Sequence, residues 1–258
     1  MHIHDDADEI FYILDGNLTF FIGKERIEAA PGAFVYLPRF VEHGFQVSTR
    51  ARWPTTTTLR LLTIRTSSMA SCRPRPSSNN TACGYSRRGQ MGDEASGAGS
   101  RPKESVPSVP AYIERRENCP RYVFGGGVWI VLADKAQTSG NVTNVESIYQ
   151  QGGGLPRLLH ECEAEMAYAI SGRLRIPIGD EAETTAEPGA MVFVPRGVAR
   201  RFTADGYDTR LYHGFVPAAF EQLLVEHSVK TELMTVPIGD APFDPAMAMT
   251  FGIHLVPE

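Results

Sequence analysis

The sequence predicts an all-β chain of two repeated units, the first shorter than the second, closed by a short helical C-terminal tail. Three observations carry this reading. Short aliphatic and aromatic runs, such as Ile10–Leu14, Leu18–Gly23, Val128–Leu132 and Val142–Tyr149, alternate with turns rich in Gly, Pro, Asn and Asp. A long segment near the N-terminus recurs beyond residue 158, the mark of a repeated structural unit. Only near the C-terminus do Pro217–Leu224 and Asp244–Met249 read as helices, opened by a proline and capped by an aspartate.

The first unit occupies residues 1–50. His2-Ile3-His4-Asp5-Asp6-Ala7-Asp8-Glu9 reads H-x-H-x4-E and runs into Ile10–Leu14 and the hairpin-like turn Asp15-Gly16-Asn17. Leu18–Gly23 follows, then Pro31-Gly32-Ala33-Phe34-Val35-Tyr36-Leu37-Pro38-Arg39-Phe40-Val41-Glu42-His43. Side chains two apart on a strand share a face, so His2 and His4 point the same way. Glu9 and His43 join them from neighbouring strands of a small closed sheet. A lone histidine is more often an ordinary core or surface residue. Three imidazoles and a carboxylate together suit one divalent transition metal (Fe, Mn, Ni, Co, Cu or Zn) better than Mg or Ca. His2 is the weak member, because terminal segments fray unless tied down.

Both stretches closely resemble the two motifs of the cupin superfamily, H-x-H-x(3,4)-E-x6-G and G-x5-P-x-G-x2-H. Phe40 departs, standing where the family usually has glycine. The resemblance implies jelly-roll barrels, with the first lacking the strands that family members have before the first motif.

Composition changes over residues 51–109. Leu59–Ile64 is still compatible with a strand, but beyond Thr66 the chain is dominated by Ser, Arg, Pro, Gly and Asn. Too little apolar surface remains to offset chain entropy, so a disordered linker is expected, its arginines solvated rather than forming a nucleic-acid arm. Arg, Pro, Ser and Thr enrichment is also what a shifted reading frame in GC-rich DNA gives. An uninterrupted alternative frame through residues 51–105 would support that origin.

The second unit, residues 110–227, is complete. Tyr122–Phe124, Val128–Leu132, Val142–Tyr149 and Arg210–Phe215 read as strands. His160–Glu165 repeats His4–Glu9, and Tyr168, Gly172, Leu174 and Gly179 fall on Tyr12, Gly16, Leu18 and Gly23. After one extra residue, Glu187–Gly197 repeats Ala30–Phe40. The copies differ at the ligands. Leu158 stands where His2 does and Arg200 where His43 does, so only His160 and Glu165 survive. Leucine has no lone pair and arginine stays protonated, which makes this a degenerate site without metal. A buried guanidinium needs a partner, so an Arg200–Glu165 ion pair is expected in the metal's place. The competing reading keeps Arg200 free for an anionic or phenolic ligand. Residues 228–258 form a tail with a short helix.

The 258 residues are 42% hydrophobic and 21% charged with net charge −5, a soluble composition with no overall attraction for nucleic acid or anionic membranes. No apolar run is long enough to span a bilayer, and no signal peptide precedes His2. Cys72, Cys83, Cys119 and Cys162 show neither CxxC spacing nor a disulfide framework, which fits a cytoplasmic setting. The region from Pro110 onward resembles cupins related to bacterial quercetin dioxygenases, in which three histidines and a glutamate hold a divalent metal that takes a phenolate. That implies a metal-dependent dioxygenase acting on a phenolic, flavonol or aromatic polyketide-like small molecule. Its ligands would be His2, His4, Glu9 and His43, with Glu9 also a general base. A non-redox cyclase or isomerase and a non-catalytic binding protein are the alternatives, because one fold hosts many functions. The expected partners are that small molecule and a second copy in a homodimer, with no nucleic acid and no membrane.

Overall fold

Alternating side chains and glycine turns lay out the strands of the computed structural model, which describes residues 1–48, 60–67, 109–237 and 243–257. In the first unit these are β1 (Ala7–Asp15), β2 (Leu18–Ile22), β3 (Glu25–Ala29), β4 (Ala33–Leu37), β5 (His43–Val47) and β6 (Arg60–Ser67). The chain continues with β7 (Tyr112–Arg115), β8 (Arg121–Phe124), β9 (Gly127–Ala133), β10 (Thr143–Tyr149), β11 (Leu158–His160) and β12 (Ala164–Ser171). Then come β13 (Leu174–Ile176), β14 (Thr184–Ala186), β15 (Met191–Val194), β16 (Thr203–Ala204) and β17 (Thr209–Val216). The C-terminal part holds α1 (Phe220–His227), β18 (Val229–Thr231), α2 (Pro245–Thr250) and β19 (Ile253–Leu255). Among the described residues the architecture is all-β, two jelly-roll barrels with two short helices. Among the described residues no helix is long and apolar enough to cross a membrane.

The first barrel has a four-stranded sheet, β6-β1-β4-β7, and a three-stranded one, β3-β2-β5. Phe11, Ile13, Leu18, Phe20, Val35 and Leu37 fill it. The second barrel has a seven-stranded sheet, β15-β12-β17-β10-β9-β8-β18, and smaller sheets β14-β13-β16 and β11-β19. Alternate residues of β1 and β4 leave the first barrel on its other face: Ile10, Tyr12, Phe34 and Tyr36 pack against Val128, Ile130, Ile148 and Tyr212 of the second. This sheet is covered on both faces, which is why its strands read as nearly unbroken apolar runs.

Two sequence boundaries move. Arg60–Ser67, within the expected linker, is β6 and pairs with β1 from Ala7↔Ser67 to Asp15↔Arg60. Tyr112–Arg115, assigned by sequence to the second unit, pairs instead with β4 of the first, Tyr36 opposite Tyr112 and Ala33 opposite Arg115. Unpaired strand edges leave backbone donors and acceptors unsatisfied, and both segments close such edges. The rest of the expected linker up to residue 108, 51–59 and 68–108, lies outside the described residues, as do Cys72 and Cys83; Cys119 and Cys162 are buried.

The C-terminal tail is likewise part of the second barrel. β19 pairs with β11, His160 opposite Ile253, and β18 pairs with β8. The α1 helix starts at Phe220, three residues beyond the proline from which it is expected, whereas α2 starts where expected. The Asp244 carboxylate accepts from the amides of Ala246 and Met247 at 2.9 and 3.4 Å.

Candidate metal centre

β1 carries Glu9 between two strands, opposite Leu37 of β4 and Arg65 of β6. His43 opens β5, and His2 pairs with it through two backbone bonds: His2 N–H to His43 O at 2.8 Å and His43 N–H to His2 O at 3.0 Å. His2 is therefore tied down, which corrects the fraying expected from its position. The His4 carbonyl accepts the Phe40 amide at 2.8 Å. Phe40 reaches it with φ of +68°, and Gly197 does the same for the His160 carbonyl with φ of +73°. The family's glycine is explained by this left-handed turn.

These elements bring together the four residues singled out by spacing. His43 Nε2 lies 3.0 Å from Glu9 Oε2, His4 Nε2 3.3 Å from it and His2 Nε2 3.9 Å from it. The ligand atoms of all four lie within 4.8 Å of one another. Metal–ligand bonds of about 2.0–2.2 Å put neighbouring donors roughly 3 Å apart, so this set fits a first-row divalent ion. The tautomer fits as well. His43 Nδ1–H donates to the Val41 carbonyl at 2.8 Å, which leaves Nε2 as the donor atom for a metal. Burial alone would raise the Glu9 carboxyl, but hydrogen bonds from His43 and Arg65 and the charges of Arg65 and His4 hold it below its usual range. His2 is lowered, by desolvation first and then by His43 and His4. Deprotonated carboxylate and neutral imidazole are the forms a metal requires.

Sequence reasoning missed Arg65, whose Nε donates to Glu9 Oε1 at 3.2 Å. It lies in the segment whose composition reads as linker; only the pairing of β6 with β1 brings it to the centre.

The second barrel holds a different constellation at the same place. Leu158 bridges Arg200 as His2 bridges His43. The Arg200 guanidinium donates from Nε to Glu165 Oε2 at 2.7 Å, with a second bond from Nη2 to the same oxygen. It also meets His160 Nε2 at 2.7 Å and the Leu158 carbonyl at 3.2 Å. The expected ion pair is present, and with it a cation made of protein. Because Nε2 of His160 accepts from Arg200, its Nδ1–H donates to Glu163 at 2.7 Å. Burial and then Arg200 keep this imidazole neutral. Desolvation would raise Glu165, but Arg200 and the His213 hydrogen bond outweigh it and hold the carboxyl at about 2.

His213, Glu163 and Ser147 complete the network and were not singled out by spacing. His213 joins Glu165 Oε1 at 2.8 Å to Ser147 Oγ at 2.7 Å. The order hydroxyl–imidazole–carboxylate is that of a nucleophilic triad, yet all three residues are buried. Beside them a cavity of about 10 Å³, lined by Trp129, Tyr149, Leu155, Glu165, Arg200 and Phe202, has room for about one water. The arrangement stabilises a closed barrel.

Comparison with known proteins agrees with the fold. The family model described as "Cupin domain" matches residues 1–62 and 145–212. Quercetin 2,3-dioxygenase of Bacillus subtilis (strain 168) is 21% identical over 237 residues, spanning 86% of this chain and 70% of the relative. Among solved structures, a protein of Pseudomonas aeruginosa described as glyoxylate-induced aligns with TM-score 0.57 and 11% identity, over 92% of this chain and 71% of its own. Oxalate decarboxylase of Bacillus subtilis, a protein with Mn(II) centres, aligns with TM-score 0.56 and 13% identity, over 84% of this chain and 64% of its own. At such identities the structural likeness speaks for the fold.

Proposed function

Because this chain belongs to the cupin family, we propose that its first barrel is the working centre of a metal-dependent oxygenase for a small phenolic or other aromatic oxygen donor. The observation that carries the reading is convergence: with its Nδ1–H on the Val41 carbonyl, His43 turns Nε2 toward Glu9 Oε2 at 3.0 Å, and the candidate ligand atoms of His2, His4, Glu9 and His43 lie within 4.8 Å of one another. His2, His4, Glu9 and His43 would hold a divalent transition metal there. Bound, it supplies Lewis acidity and a template for the oxygen donor.

The remaining work falls to the chain. The Val41 carbonyl fixes the His43 ring, and the His2–His43 backbone pair fixes the rim. Glu9 keeps Oε2 toward the site as an acceptor for a phenolic proton. Arg65 holds the opposite oxygen. Likeness to quercetin 2,3-dioxygenase supports an oxygenase over other cupin chemistries and leaves the substrate to be measured.

Reconstitution with Mn(II), Fe(II), Co(II) or Ni(II) should load about one ion per chain, with His43→Ala losing it and His160→Ala keeping it. Oxygen uptake on addition of a phenolic substrate is the expected activity. Product without oxygen uptake would reassign the centre to a cyclase or isomerase, and binding without turnover would leave a binding protein. Two ions per chain, or retention by His43→Ala, would refute the site itself.

A further inference from the structure

Sheet register places Arg65 across from Glu9 and Phe215 across from Glu165, so the two residues hold equivalent positions in the two barrels. Phe215 is fully buried, and its ring stacks on Phe220, His160 and His213 at centroid distances of 4.2, 5.3 and 5.8 Å. It plugs the second barrel. Arg65 instead brings a permanent cation to the first, with its side chain 57% exposed while that of Glu9 is 5% exposed. Exposure across the centre rises from His43 and Glu9, both buried, to His2, whose side chain is 46% exposed, and Arg65. His2 and Arg65 are thus the solvent-facing members of the centre, and His43 and Glu9 the buried ones.

The Glu9 carboxylate is divided between two tasks. Oε2 faces the imidazoles, and Oε1 is occupied by the Arg65 Nε–H. We propose that Arg65 is a specificity-determining residue: it restricts Glu9 to ligation through one oxygen, and from its solvent-facing position it selects ligands that bring an anionic oxygen, carboxylate or phenolate, to the metal. This rests on the metal-centre reading above. A guanidinium is charged at every working pH, and its planar fork matches a carboxylate. The Arg65 side chain is more than half exposed, so its guanidinium can be shared between Glu9 and an incoming anion. The chain's net charge of −5 offers anions no general attraction, so any preference must be local.

The test uses Co(II)-loaded full-length protein, with the visible spectrum of the metal as readout. Benzoate, 4-nitrophenolate and the uncharged benzamide are titrated separately. Wild type should bind at least one of the anions about tenfold or more tightly than benzamide, as expected of a partly exposed charge-assisted contact. Whichever anion is preferred identifies the oxygen source. Arg65→Gln should still load Co(II), as calorimetry would register, and lose the preference for anions; Arg65→Lys should recover part of it. Undiminished anion preference in Arg65→Gln, or failure of that variant to load Co(II), would overturn the role assigned to Arg65 and leave the metal centre standing. Absence of Co(II) binding in wild type would overturn both.

Discussion

Phe40 shows how a single residue registers the departure from a motif. A left-handed φ costs a side chain with a Cβ about 1–2 kcal/mol, and Gly197 makes the same turn and the same amide-to-carbonyl bond without that strain. Phe40→Gly should therefore raise stability by about 1 kcal/mol, read as a higher urea midpoint at unchanged slope; a lower midpoint would mean that the ring's packing outweighs the strain. Glu165 gives the second residue-scale prediction. Its folded pKa of about 2 lies below the ordinary 4.5, so its contribution is fully present above about pH 5 and is lost as pH falls toward 2. Arg200→Met removes the paired cation and should cost about 3–5 kcal/mol at pH 7. The stability gap between wild type and variant should then narrow as pH falls below about 5; a constant gap would argue against the pairing. The Arg200–Glu165 pair was legible in the sequence because both residues occupy motif positions. Arg65, His213 and Ser147 were not, because only strand register, which is set by distant pairing, brings them to their sites.

At the scale of elements, β6 and β7 separate composition from structure. Arg60–Ser67 borders a Ser-, Arg- and Pro-rich stretch, yet Leu62 and Ile64 are buried in the core between the barrels. Ile64→Ala should cost about 2–4 kcal/mol in chemical denaturation, whereas a change in a solvated linker would cost almost nothing. β7 is a subtler case. Tyr112-Ile113-Glu114-Arg115 is too short to announce a strand by pattern, and nothing local says which barrel it completes. Its effect is visible in the repeat: Phe34 and Tyr36 on β4 are buried beside Tyr112, while Met191 and Phe193, their counterparts on the outer strand β15, are 47% and 60% exposed. The longer apolar strands, their glycine turns and the α2 cap follow from local chemistry and were readable; short strands such as Glu25–Ala29 and the placement of β7 depend on long-range pairing.

Across the whole molecule, the barrels share one apolar layer and a buried polar bridge. Tyr12 of the first barrel donates to Glu146 of the second, a carboxylate that also accepts from Arg116 at 2.6 Å and Arg210 at 2.8 Å. Tyr36 and Asn141 meet on Asp8, the neighbour of Glu9, at 2.9 and 2.6 Å. The repeat made two barrels predictable, but which faces meet depends on this pairing of aromatic and charged residues across units. The placement of β7 also sets an order of events during synthesis. When Ser67 leaves the ribosome, β4 still lacks its outer neighbour, and 48 more residues, 68 to 115, must be translated before β7 is available. At about 5–20 residues per second that interval lasts roughly 2–10 s. For those seconds the nascent first barrel carries an open strand edge, the moment at which a chaperone or a wrong neighbour has access to it.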